Sequence, residues 1–141
     1  MYKKILVPLE NSWADATILS HVKGLAALCG SEILLVHVAD GFVARNQEKL
    51  NLQDSEEIRN DRTYLEDKRQ ELNGCGIVTT AELLRGEPAK EILRLAVDQK
   101  CDLIALATHG HRLLGDIVLG SVATEIRHGT DIPVLMIRGQ R

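Results

Sequence analysis

The sequence predicts an α/β fold: an open, five-stranded parallel sheet with helices on both faces. Three observations lead there. Five short apolar runs recur along the chain, at 4–9, 32–38, 77–84, 103–107 and 134–137. Stretches with apolar residues at helical spacing separate them. Most of the runs are continuously apolar rather than alternating, which suits strands buried on both faces by crossover helices.

Each element has its own signal. In the first strand Pro8 lies near the end, and Ser12 with Asp15 three residues on makes a capping-box-like helix start. Ile18, Val22, Leu25, Ala26 and Cys29 then share one helical face, and Gly30 supplies the stop. The second strand is EILLVHV, 32–38, and 39–53 carries no convincing period, which predicts a loop. Asp54, with Glu57 three residues later, starts a helix running to about Leu72. Its apolar stripe is thin (Ile58, Leu65 and Leu72, with Tyr64 alongside), and Glu56/Arg59 and Glu66/Arg69 stand at helical spacing. That pattern predicts a solvated helix on the sheet's outer surface, with a partner-binding helix as the alternative.

Gly74-Cys75-Gly76 closes that helix before the third strand, 77–84. Pro88 suits the first turn of a helix with Ala89, Ile92, Leu93 and Ala96 inward. The fourth strand is 103–107. A final helix is expected from about Ser121, with Val122, Ala123 and Ile126 inward, Arg127 and His128 near its negative end and Gly129 as stop. Pro133 introduces the last strand, 134–137.

Composition narrows the function classes. With 141 residues the chain is expected to form one domain, 1–141, and aromatics at 3% leave its core to Val, Ile, Leu and Ala. A net charge of -3 with scattered Lys and Arg gives no footprint for nucleic acid. Three cysteines without CxxC spacing disfavour structural zinc and a disulfide framework. Cys29 and Cys101 are expected as buried reduced thiols and Cys75 as exposed. The apolar run at 5–9 is too brief for a signal peptide and no run approaches membrane-spanning length, so the expectation is a cytoplasmic protein with no membrane partner.

The segment CDLIALATHGHRLLGDIVLGS, 101–121, carries the chemistry. A strand breaks into the loop Thr108-His109-Gly110-His111-Arg112, and after a nine-residue spacer from Gly110 come Gly120 and Ser121. A strand-loop-helix junction presents unpaired backbone N–H groups at the positive end of a helix dipole, a ready anion site. In open parallel sheets ligands bind beyond the carboxyl ends of strands, at the switch in strand order. That rule groups Leu9-Glu10-Asn11, Val38-Ala39-Asp40 and the loop 108–112 into one site. The plainer alternative makes Gly110 and Gly120 loop punctuation and Ser121 a helix cap. His109 and His111 lack carboxylate or cysteine neighbours, so no metal site is expected of them. Neither a P-loop lysine motif nor G-x-G-x-x-G after the first strand is present.

The loop resembles the nucleotide loop of the universal stress protein family, G-x-x-G-x(9)-G-[S/T], with Gly110, Gly120 and Ser121 in place and Ala107 at the first glycine position. The likeness extends over nearly the full length. Val7-Pro8-Leu9-Glu10-Asn11-Ser12 is similar to the family's V-P-x-D strand end and Ser-capped helix, with Glu10 one methylene longer than the usual Asp. His37-Val38-Ala39-Asp40, Gly86-Glu87-Pro88 and Pro133-Val134-Leu135 complete it. The resemblance implies a Rossmann-like fold of the adenine nucleotide alpha hydrolase type and a site for ATP or a related adenine nucleotide, with Mg²⁺ as an optional companion. It places Pro8, Leu9 and Glu10 against the adenosine and the backbone of Val38 at the adenine edge. Ala107 and Val122 join the site, and the backbone from His109 through Gly110 to Arg112 cradles phosphates. His111 and Arg112 act as added donors, and Gly120 and Ser121 bind phosphates at the last helix's N-terminus.

The function implied is a dimeric binding or switch protein in stress response or signalling. The alternatives are a dimeric interaction protein without a physiological nucleotide, a slow ATPase, and a nucleotide-dependent enzyme of the related hydrolase superfamily. Val134, Leu135, Met136 and Ile137 would form an apolar edge strand, a liability unless paired, and a homodimer across it is expected.

Overall fold

A computed structural model describes residues 1–40, 52–108 and 113–140, giving only the backbone course at 40, 52–55 and 113–120. Among the described residues five strands alternate with four helices. They are β1 (Lys4–Pro8), α1 (Ala14–Cys29), β2 (Glu32–Asp40), α2 (Leu52–Gly74), β3 (Thr79–Gly86), α3 (Pro88–Asp98), β4 (Leu103–Thr108), α4 (Leu113–His128) and β5 (Val134–Arg138). The sheet order is β3-β2-β1-β4-β5, and every pairing is parallel.

Period-two alternation sorts the strand residues between two cores. Ile5, Val7, Ile33, Leu35, Leu103 and Ala105 face one side, where Ile18, Val22 and Ala26 of α1 and Leu65 and Leu72 of α2 cover them. Leu6, Leu34, Val36, Ile104 and Leu106 face the other, beneath Ala89, Ile92, Leu95 and Ala96 of α3 and Ala123 and Ile126 of α4. Full burial of such a side chain contributes about 1.5–3 kcal/mol, so the doubly covered central strands anchor the fold. The thin stripe of α2 packs as its spacing predicts: Ile58, Leu65 and Leu72 are buried, and Arg69 pairs with Glu66 on the exposed face.

Local signals explain most element ends. Gly30 closes α1 in a left-handed conformation, φ 69°, that few other residues adopt cheaply. Pro88 occupies the first turn of α3, where its missing N–H costs nothing. Strand β3 starts at Thr79 rather than 77, and the Asn73 side chain clasps both sides of Thr79: its Oδ1 accepts the Thr79 N–H and its Nδ2 donates to the Thr79 carbonyl, each at 3.0 Å. Strand β2 continues to Asp40, paired with Gly86, beyond the expected end at 38.

Three expectations are corrected. The last helix begins at Leu113, not near Ser121. Leu113, Leu114, Ile117, Val118 and Val122 continue one helical period, and a glycine inside it costs only about 1 kcal/mol relative to alanine. Gly120 therefore lies within the helix instead of punctuating a loop. Cys29 is half-buried, because it sits at the end of α1; Cys101 is buried and Cys75 exposed, as expected. Leu95 faces the core of α3 more fully than Leu93, which is only partly covered. No helix among the described residues is long and apolar enough to cross a membrane.

Candidate functional site

The sheet opens between its two central strands. Strand β1 pairs with β2 through Pro8↔Val36, and the Leu9 N–H extends the contact by donating to the Val36 carbonyl at 2.7 Å. On its other side β1 pairs with β4 only at Ile5↔Leu103 and Leu6↔Ile104. The chain order runs outward in opposite directions from this pair, to β2 and β3 on one side and to β5 on the other. The crevice beyond the strand ends is thus the switch point of the sheet.

A cavity of about 250 Å³ occupies it. Pro8, Leu9 and Glu10 form one wall, and Val36, His37 and Val38 a second. Leu106 and Ala107 close it from β4, with Val122, Ala123 and Ile126 of α4 and Pro88 and Ile92 of α3 beyond them. The lining is mostly apolar, suited to a flat ring system whose edge can meet strand backbone. A second cavity of about 380 Å³ adjoins it and shares Glu10, His37, Val38 and Pro88 with it. This one is more polar, adding Asn11, Glu57 and Asp61.

The turn between β1 and α1 is built around Asp15, only 1% exposed. Its carboxylate accepts the backbone N–H of Glu10 at 3.0 Å, of Asn11 at 2.8 Å and of Ser12 at 3.3 Å. The Tyr64 hydroxyl of α2 donates to it at 2.7 Å. Burial, reinforced by the hydrogen bond to Asp15, pushes the Tyr64 phenol well above its usual range and keeps it a donor. The acidic half of the expected capping box is therefore formed. Its hydroxyl half is altered: Ser12 Oγ accepts the Ala14 N–H at 3.3 Å and donates to Glu10 Oε2 at 3.0 Å. Asn11 turns the chain in a left-handed conformation, φ 62°, which asparagine tolerates better than most residues.

His37, on β2, joins this turn to α2. Its Nδ1 lies 2.8 Å from the Leu9 carbonyl and its Nε2 3.3 Å from Asp61 Oδ2. Asp61 Oδ1 in turn accepts the Asn11 side-chain amide at 3.1 Å.

Of the residues the sequence singles out, Pro8, Leu9, Glu10, Val38, Ala107 and Val122 meet on the first cavity. Gly120 and Ser121 do not mark a helix start; they lie about two turns inside α4, next to the cavity-lining Val122. Ser121 is exposed and its hydroxyl points to Glu125 Oε1 at 3.5 Å. His109, Gly110, His111 and Arg112 fall outside the described residues. Sequence reasoning gave Asp15 only a capping role and overlooked Asp61. Tyr64 and Asp61 stand three apart on α2, a spacing that puts them on one face, but nothing in a charged helix says which acid turns inward. Among the described residues no group of three or more His, Cys, Asp or Glu could hold a metal ion.

Comparison with known proteins places this architecture. The Universal stress protein family matches residues 1–138. Universal stress protein MJ0577 of Methanocaldococcus jannaschii is 29% identical over 155 aligned positions, covering 98% of this chain and 96% of its own. The solved structure of MJ0577 matches with a TM-score of 0.87 at 30% identity, covering 100% of this chain and 99% of that one. Two further solved structures share the fold. One is the universal stress protein from Archaeoglobus fulgidus in complex with dAMP, with a TM-score of 0.71, 22% identity and 96% and 98% coverage. The other is a universal stress protein in complex with cAMP, with a TM-score of 0.73, 16% identity and 99% and 98% coverage.

Proposed function

This chain belongs to the universal stress protein family, and from that footing we propose that it binds an adenine nucleotide (ATP, ADP or AMP) at the switch point of its sheet and acts as a binding or switch protein in stress response or signalling. The observation that carries the reading is the 250 Å³ apolar slot on which Pro8, Leu9, Glu10, Val38, Ala107 and Val122 converge. Adenine would lie in that slot with strand backbone at Val38 along its edge, and Glu10 would face the ribose. The phosphates would lead to the segment containing His109, Gly110, His111 and Arg112 and to the side of α4 bearing Gly120 and Ser121. Relatives of the same fold in complex with dAMP and cAMP support the ligand class.

Mg²⁺ would enter on the phosphates, since magnesium is commonly held by a few oxygens plus substrate phosphate. Binding is favoured over turnover, with a slow ATPase as the most that the site suggests. Three free cysteines suit the reducing cytoplasm, and β5, at one edge of the sheet, suits a homodimer.

Replacing Ala107 by phenylalanine tests the placement. The larger side chain would fill the slot from β4, and AMP affinity by calorimetry should fall at least about tenfold while the circular dichroism stays that of the parent. Parent affinity in that variant would put the base elsewhere. A second reading, a dimeric interaction protein without a physiological nucleotide, draws on Ala107 and Glu10 standing where the family pattern has glycine and aspartate.

A further inference from the structure

Helix α2 reaches the β1–α1 turn with two side chains less than one turn apart, Tyr64, which meets Asp15, and Asp61, which lines the cavity adjoining the slot. Asp61 faces the His37 ring with one oxygen and the Asn11 amide with the other. The far nitrogen of that ring meets the Leu9 carbonyl. Asp61 and His37 are 13% and 15% exposed, so this is not a solvated surface pair of negligible consequence. A carboxylate so far out of water is costly unless its partners repay it, and the apolar stripe of α2 does not need an acid there. Both the Leu9 carbonyl and the Asn11 amide belong to the turn beside the slot.

We propose that His37 and Asp61 are positioning residues for the nucleotide, a latch by which α2 holds the Leu9–Asn11 wall of the slot in its binding shape; this rests on the nucleotide reading above. The wall needs such a device. Past Pro8 the chain has left β4 behind, and Asn11 sits in a left-handed turn held by side chains instead of a sheet ladder. The chemistry of the latch follows from its two ends. One ring nitrogen meets the Leu9 carbonyl and the other the Asp61 carboxylate, so a ring N–H is available to an oxygen at either end. Asp61 also binds Asn11, so one residue fixes both ends of the wall, the carbonyl of Leu9 through the ring and the side chain of Asn11 directly.

The test uses the full chain as wild type, Asp61→Ala, Asp61→Asn and Glu66→Ala, with AMP calorimetry and amide hydrogen exchange. Asp61→Ala should weaken AMP about tenfold and speed exchange at the Glu10 and Asn11 amides by a similar factor, the usual effect of losing a charge-assisted hydrogen bond. Asp61→Asn keeps an acceptor for Asn11 and a polar partner for the ring, so it should stay within about threefold of wild type. Glu66→Ala, which loses only an exposed pair with Arg69, should be silent in both readouts. Wild-type affinity in Asp61→Ala overturns the latch. So does an affinity loss with wild-type exchange at Glu10 and Asn11, or an Asp61→Asn as weak as Asp61→Ala. A wild type that binds none of AMP, ADP and ATP defeats the nucleotide reading instead; unchanged exchange in Asp61→Ala would then defeat the latch separately.

Discussion

Asp102 shows how a single side chain organises the end of the sheet away from the site. Lying just before β4, it accepts the backbone N–H of Lys3 at 2.7 Å and of Lys4 at 2.9 Å, tying the start of β1 to its neighbour. Burial pushes its carboxyl up, but the backbone donors together with the nearby N-terminal charge outweigh that and hold it below its ordinary value. The sign of the pH dependence follows. A carboxyl lowered in the folded state stabilises the fold above its unfolded value of about 3.9, and that stabilisation is lost as pH falls through the lower folded value. Asp102→Asn should therefore lower stability in urea unfolding at pH 7, by less than about 1 kcal/mol because water screens this carboxylate, with the difference shrinking below about pH 4. A constant difference from pH 7 to 3 would contradict this account.

At the scale of elements, legibility depended on whether a pattern was local. The strands were legible because their apolar runs are continuous, and each lies within a few residues of its expected bounds. The start of α4 was not, because Gly115 and Gly120 punctuate a stripe that continues through them. The slot residues Leu9, Glu10 and Val38 followed from strand ends and the switch-point rule, and Pro8 and Ala107 from the family resemblance. The latch did not, since Asp61 on a charged helix looks like any solvated acid until tertiary packing sets it against His37. Strand β5 carries a prediction of its own. It pairs with β4 alone, and Met136 is 40% exposed on it. Light scattering should give twice the chain mass, and Met136→Lys, which places a charge on that edge, should shift the mass to that of one chain. A parent protein already of single-chain mass at micromolar concentration removes the dimer.

For the molecule as a whole, division of labour follows from topology. Two cores, one under α1 and α2 and one under α3 and α4, make the sheet rigid. The early parting of β1 and β4 leaves one crevice at its carboxyl edge. Rigid strands supply the slot, and α2 and the β1–α1 turn supply the wall that a ligand would feel. What the crevice holds decides what the molecule does. Mass spectrometry of small molecules released on denaturing the purified protein, followed by calorimetric titration with AMP, ADP and ATP with and without Mg²⁺, tests it most directly. A nucleotide site at the switch point predicts a co-purified adenine nucleotide or micromolar binding of at least one of the three. An empty protein that binds none of them, with or without Mg²⁺, would contradict it.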